Sequence, residues 1–86
     1  MKERKKAAAL KYDNIYEPPI VTASGTGYIA EKILEKAMEG NVPIIENKEL
    51  TELLTKVEVG DSIPEEVYEA VATILAYIMS IDSTLE

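Results

Sequence analysis

No cysteine and no histidine occur among the 86 residues, and the two absences remove whole classes of chemistry. Without cysteine there is no disulfide and no thiolate nucleophile. Without histidine the commonest metal ligand and the usual general base near neutral pH are gone. Carboxylates alone remain as metal ligands, and their oxygen donors suit Mg²⁺ or Ca²⁺ rather than zinc. Tryptophan and phenylalanine are also missing, so five tyrosines are the only aromatic side chains. No apolar run approaches the ~18 residues that span a bilayer, and Met1 is not followed by the apolar core of a signal peptide. A cytoplasmic chain that does not span a membrane is the expectation.

Positive charge is scarce. Nine Lys and Arg face sixteen Asp and Glu, for a net charge of −7. Lys2, Arg4, Lys5 and Lys6 against Glu3 give the first six residues +3, which leaves −10 on the remainder of a chain that totals −7. The body should repel nucleic acid and anionic lipid. The basic start reads first as a flexible, solvated terminus over residues 1–6, and otherwise as a contact arm for an acidic partner. What is present in quantity is apolar residue, 47%, with 29% charged, the composition of a folded soluble protein. At this length one small domain is expected, over residues 7–82, with much of its surface exposed and modest stability.

Elements follow from local signals. Ala7 to Tyr12 reads as a first strand, and Asp13 to Pro19 as a loop, because Asp-Asn favours a turn and Pro18-Pro19 forbids helix. Ile20 to Ala23 is a second strand. A helix from about Gly27 to Glu39, capped by Thr26, carries Ile29, Ala30, Ile33, Leu34, Ala37 and Met38 on one stripe. Gly40-Asn41 stops it, and Val42 to Ile45 reads as a third strand. A second helix starts at an Asn47 cap and points Leu50, Leu53, Leu54 and Val57 inward. Val59-Gly60-Asp61 is a turn. A third helix opens with Ser62 and Glu65 as a capping box, with Pro64 in its first turn. Its stripe is Val67, Val71, Ile74, Leu75 and Ile78, widened by Tyr68, Ala72 and Met79. Two strands flanking a helix should be parallel with a right-handed crossover. The predicted fold is α/β: a small three- to four-stranded mixed sheet containing a parallel strand-helix-strand unit, packed with three helices.

Candidate chemistry is sparse. Gly25, Gly27 and Ala30 fit the spacing G-x-G-x-x-G/A, and Glu46 falls near the place of a ribose-binding acid. A small nucleotide- or ligand-binding domain using the Gly25-Thr26-Gly27 turn is therefore the alternative function. Against it, a full dinucleotide fold needs more parallel strands than this chain can supply, and a tight strand-to-helix turn needs glycine anyway. Glu65, Glu66 and Glu69 are more economically helix-start and wet-face acids than paired catalytic or metal carboxylates. Tyr12, Tyr16, Tyr28, Tyr68 and Tyr77 lack the basic stripe of an RNA-stacking platform and read as packing residues. No nucleophile, oriented base and oxyanion hole assemble. No cofactor and no metal are expected.

Taken together, the ordered pieces carry a resemblance. Ala9-Leu10-Lys11-Tyr12-Asp13 is followed by Pro19-Ile20-Val21, Gly25-Thr26-Gly27, Ile29-Ala30, Val42-Pro43-Ile44 and Leu50 with Leu53-Leu54. Gly60-Asp61-Ser62-Ile63-Pro64-Glu65 then leads into Tyr68, Ala70-Val71-Ala72 and Ile74-Leu75-Ala76-Tyr77. This set resembles the C-terminal cytoplasmic domain of the FlhB/YscU family, the substrate-specificity switch proteins of flagellar and virulence type III export. It covers roughly Ala7 to Ile81. The resemblance implies a binding module that meets cytoplasmic export-gate proteins and export substrates and reaches a membrane only through a partner. It also implies an apolar docking patch, carried over by alignment onto Pro18, Pro19, Ala72 and Leu75.

Departures from the family pattern are as informative. Family members carry Asn-Pro-Thr-His just before the first strand and a transmembrane part ahead of that. Aligning back from Ala9 puts Lys2, Glu3, Arg4 and Lys5 at those four positions, and none matches. Self-cleavage in the family uses the asparagine side-chain amide to attack its own backbone carbonyl and expel the proline. Here Asn14, Asn41 and Asn47 precede Ile15, Val42 and Lys48, so no Asn-Pro bond exists. The expectation is a stand-alone FlhB-like protein without autocleavage, and not an enzyme. Ser24 stands where many relatives have lysine, and Lys48-Glu49 where many have a proline pair.

Overall fold

Small and β-branched residues on either side of the proline loop pair with each other. In the computed structural model, which describes residues 4–13 and 17–84 and the side chains of these up to residue 80, β1 (Lys6–Lys11) and β2 (Ile20–Thr26) form a two-stranded antiparallel sheet. Lys6 lies opposite Thr26 and Lys11 opposite Ile20, with a register shift between Ala9 and Leu10. The expectations placed on Lys2, Glu3, Asn14 and Tyr16 lie outside the described residues. α1 (Tyr28–Glu39), α2 (Lys48–Leu54), a 3₁₀ turn (Glu65–Val67) and α3 (Tyr68–Thr84) complete the chain.

The sheet corrects the expected architecture. Instead of three or four strands in a mixed sheet with a parallel unit, two strands run antiparallel. Val42 to Ile45 joins no ladder, and its aliphatic side chains stay 41–54% exposed. Pro43 is the physical reason: it removes a ladder donor from a run only four residues long. The free side of β2 is closed instead by residues 60–63. Val21 donates to the carbonyl of Asp61 at 2.9 Å, Gly60 donates to the carbonyl of Val21 at 2.7 Å, and Ser62 bridges Ile20 antiparallel. Ser62 therefore serves as sheet rather than as a helix cap. Pro64 precedes the 3₁₀ turn with no side-chain cap, and the expected capping box does not form.

Glycine is required at the strand-to-helix turn for two different reasons. Gly27 sits at φ +61°, where a side chain would be strained, and it, not Thr26, is the N-cap of α1. Gly25 is needed for proximity. A Cβ there would stand 2.7 Å from Cβ of Ile29 and closer still to its Cγ2. Gly25→Ala should therefore destabilise the domain by about 2 kcal/mol through overpacking. Ile29→Ala alone should matter little, since Ile29 is about half exposed. Ile29→Ala removes the Cγ atoms but keeps the Cβ that would stand 2.7 Å from a new side chain at position 25, so together the two should recover only part of the loss, and a double-mutant cycle in urea measures the coupling. Strictly additive losses would mean that the Cγ atoms of Ile29 play no part in the clash.

The end of α1 is a Schellman motif. Asn41 takes φ +56° and donates to the carbonyl of Met38, while Val42 donates to that of Ala37 at 2.9 Å. Of the expected α1 stripe, Ala30 is fully buried and Ile33, Leu34 and Ala37 are half-buried, while Ile29 and Met38 are exposed. The Asn47 side chain caps α2 by accepting from the Leu50 N–H at 3.0 Å. The core gathers Val21, Leu50, Leu54, Ile63, Val67 and Val71, with Ala8, Leu10, Val57, Ile74 and Leu75 packed against it.

One ion pair ties β1 to α2. Lys6 Nζ donates to Glu52 Oε1 at 2.9 Å across 46 residues of sequence. That hydrogen bond and the lysine charge hold the Glu52 carboxyl below its ordinary pKa. Because the folded pKa is the lower one, the contribution is present above the unfolded carboxylate value and is lost as pH falls through the folded value. Glu52→Gln should thus lower stability slightly at pH 7 and leave it unchanged in acid. Urea midpoints of both proteins at the two pH values check this, and a pH-independent difference would contradict it.

Candidate functional site

Two proline rings and one face of α3 build an apolar groove among the described residues. Neither Pro18 nor Pro19 has a backbone N–H, so the loop can offer apolar rings without an unmet donor. The end of the loop is held down by a backbone bond: Ile63 donates to the carbonyl of Pro19 at 3.0 Å. This bond sets the loop directly over the entry to the 3₁₀ turn. Pro19 is buried and Pro18 half-buried.

Opposite stands α3. Val71 points into the core and is 2% exposed, and Leu75 is half-buried against it. One position round the helix, Tyr68, Ala72, Ala76 and Met79 recur at four, four and three and remain exposed. Between loop and helix lies a groove of about 410 Å³. Its walls are Tyr12, Glu17, Pro18 and Pro19 on one side and the Tyr68-to-Met79 stripe on the other, with Ile63 and Val71 at its floor. All four residues carried over by alignment, Pro18, Pro19, Ala72 and Leu75, line it. Glu17 is the only charged residue among the described residues of its lining, so what the groove can do is bury apolar side chains of something else.

Sequence reasoning did not assign Tyr12, Ala76, Tyr68 or Met79 to this site. Tyr68 and Met79 entered the helix-three pattern as an enlargement of the core stripe. The available signal was that the apolar positions of α3 are too many for a single stripe. Tyr68, Ala72, Ala76 and Met79 form a second row beside Val67, Val71, Ile74 and Ile78, and a helix in a domain this small cannot bury both rows.

The glycine turn offers no comparable site. The Gly27 N–H, which a phosphate would need, donates to the carbonyl of Lys5 at 2.7 Å. With no parallel neighbour to β2, there is no crevice between strand ends. Glu46 lies exposed in the segment before α2. Glu65, Glu66 and Glu69 are exposed at the start of the 3₁₀ turn and α3, and among the described residues no three carboxylates group as a metal would require. No helix among them is long and apolar enough to cross a membrane.

Comparison with known proteins places this geometry. Residues 4–78 match the model of the FlhB HrpN YscU SpaS family. YlqH of Bacillus subtilis strain 168 is 40% identical over 90 residues, covering 100% of this chain and 97% of YlqH. The flagellar biosynthetic protein FlhB of Helicobacter pylori is 43% identical over 77 residues, covering 88% of this chain and 22% of that protein. FlhB of Aquifex aeolicus is 44% identical over 75 residues, again about a fifth of its length. Among solved structures, the crystal structure of the PscU C-terminal domain superposes with a TM-score of 0.79 at 24% identity, covering 86% of this chain and 96% of that one.

Proposed function

Because this chain belongs to the FlhB HrpN YscU SpaS family, we propose that it acts as an FlhB-like module of flagellar or type III protein export, one that binds and does not cleave. It works in the cytoplasm, where export-gate proteins and export substrates present apolar segments to the Pro18–Pro19 groove. The observation that carries this reading is the convergence of Pro18, Pro19, Ala72 and Leu75 on one groove whose lining is almost wholly apolar. A residue set scattered over the surface would have given it no support. Pro18 and Pro19 stiffen one wall and α3 the other, so little order has to be gained on binding.

The absence of the family's cleavable Asn-Pro bond supports a chain that does not cleave itself by that route. The amide of an asparagine must precede a proline to release it, and no Asn-Pro bond occurs. The chain matches about a fifth of the length of its FlhB relatives.

The direct test is capture of purified export-gate cytoplasmic domains and of hook or rod substrates by the immobilised chain, with intact mass followed in parallel at pH 7. Saturable capture and a single unchanged mass are expected. Failure to capture any of them, with export intact after deletion, would refute the binding role. A pair of fragments would refute the absence of cleavage.

A further inference from the structure

A second groove, sharing no residue with the first, lies between the start of β1 and the segment ahead of α2, with a volume of about 840 Å³. We propose that it is a separate docking site for an extended segment of a partner protein that carries aliphatic anchors flanked by carboxylates.

Charge supports the first half of that description. Arg4, Lys5, Lys6 and Lys48 all line this groove, four of the nine cations of a chain whose net charge is −7. Two acids also line it, and one of them, Glu52, is already engaged by Lys6 at 2.9 Å. Arg4 and Lys5 make no ion pair with any described residue. A basic rim on an otherwise acidic body draws carboxylates selectively and turns away cationic partners.

Packing supports the second half. Ile44 and Ile45 line the same groove while 46% and 41% exposed, joined by half-buried Leu34. They belong to the Val42-to-Ile45 run, which has the composition of a strand and no ladder partner. Loops are ordinarily polar, so consecutive aliphatic residues left at a concave surface mark a place where apolar contact is still to be made. A duplex or a bilayer is a poor occupant. Either would have to lie against the surrounding negative surface, whereas a peptide enters the groove alone.

The test uses the full chain and a fluorescein-labelled peptide of alternating glutamate and leucine, read by fluorescence anisotropy at low salt. Saturable binding is expected, and it should weaken as salt is raised. Arg4→Glu with Lys5→Glu should weaken it at least about tenfold, and Ile44→Ser about fivefold. Ala72→Glu, in the other groove, should leave it unchanged. These positions are exposed, so the fold should survive, which circular dichroism checks; Ile45→Ser serves if Ile44→Ser lowers the melting temperature. The proposal is overturned by no saturable binding, by equal binding of a lysine–leucine peptide, or by affinity indifferent to both variants. It is equally overturned if phosphatidylserine vesicles, or a second copy of the chain, occupy these residues in place of the peptide. Loss of export-gate capture by Ala72→Glu with this binding intact would separate the two grooves.

Discussion

Leu54→Ala should lower the stability of the domain by about 3 kcal/mol, while Leu53→Ala, one residue earlier in the same helix, should cost less than about 1. Leu54 is 5% exposed and sits in the cluster with Val21, Leu50, Ile63, Val67 and Val71, whereas Leu53 is 38% exposed. The effect is large because α2 has only seven residues and cannot persist alone. Its place depends on Leu50 and Leu54 inside, the Asn47 cap at its start and the Lys6–Glu52 pair on its flank. A domain of this size holds roughly 4–13 kcal/mol in all, so the loss would take a large fraction and lower the melting temperature by about 15 °C. Urea and thermal unfolding of the two variants decide it. Equal losses would mean that α2 presents a broader face to the core than Leu50 and Leu54.

The Leu53 contrast also shows where pattern alone runs short. Leu50, Leu53, Leu54 and Val57 all satisfy a helical stripe, but a two-turn helix against a small core covers only part of it, and Leu53 falls on the edge. Where a signal is local and chemical, the sequence was sufficient: the Asn47 cap, the Gly40-Asn41 stop and the glycine turn all lie where their residue types demand. Pairing was harder to read. Val42-Pro43-Ile44-Ile45 has strand composition, and the helix before it suggested a parallel crossover. The single missing N–H of Pro43 removed that strand, and the segment at 60–63, with no apolar alternation of its own, took the place beside β2. Ser62 and Glu65 match a capping box in spacing, yet Ser62 is drawn into the bridge with Ile20 before a helix can begin. Long-range pairing outweighed a local motif at both places.

The candidate site follows the same division. The loop prolines were visible as loop, and Ala72 and Leu75 as helix. No periodicity brought the two together; alignment to a family did. Their meeting depends on the bond from Ile63 to the carbonyl of Pro19, a contact that spans more than forty residues of sequence. The two grooves likewise differ in legibility. The basic rim was evident as a charged start, but the aliphatic floor beneath it emerged only because an expected strand is not one.

Ala72→Glu should abolish capture of export-gate domains and substrates, reducing affinity at least about thirtyfold, with folding stability changed by no more than about 0.5 kcal/mol. Ala72 is the informative position among the four. Leu75 packs against the core, so its truncation would mix lost binding with lost stability. Pro19 is buried and anchors Ile63 through its carbonyl, so its replacement would disturb the loop. Ala72 is exposed in the free chain, where a glutamate is hydrated on a helix surface and costs little. On binding, that carboxylate would be driven between apolar surfaces with no cation among the described residues lining the groove, and Glu17 across it would add repulsion. Surface plasmon resonance with purified partners, beside a thermal melt of the same preparation, separates the two effects. Unchanged affinity with an unchanged melt would show that the partner does not enter the Pro18–Pro19 groove. Ala72→Ser, which adds one small polar atom and no charge, should retain most of the affinity, and its failure to do so would point to shape rather than burial of charge as the deciding factor.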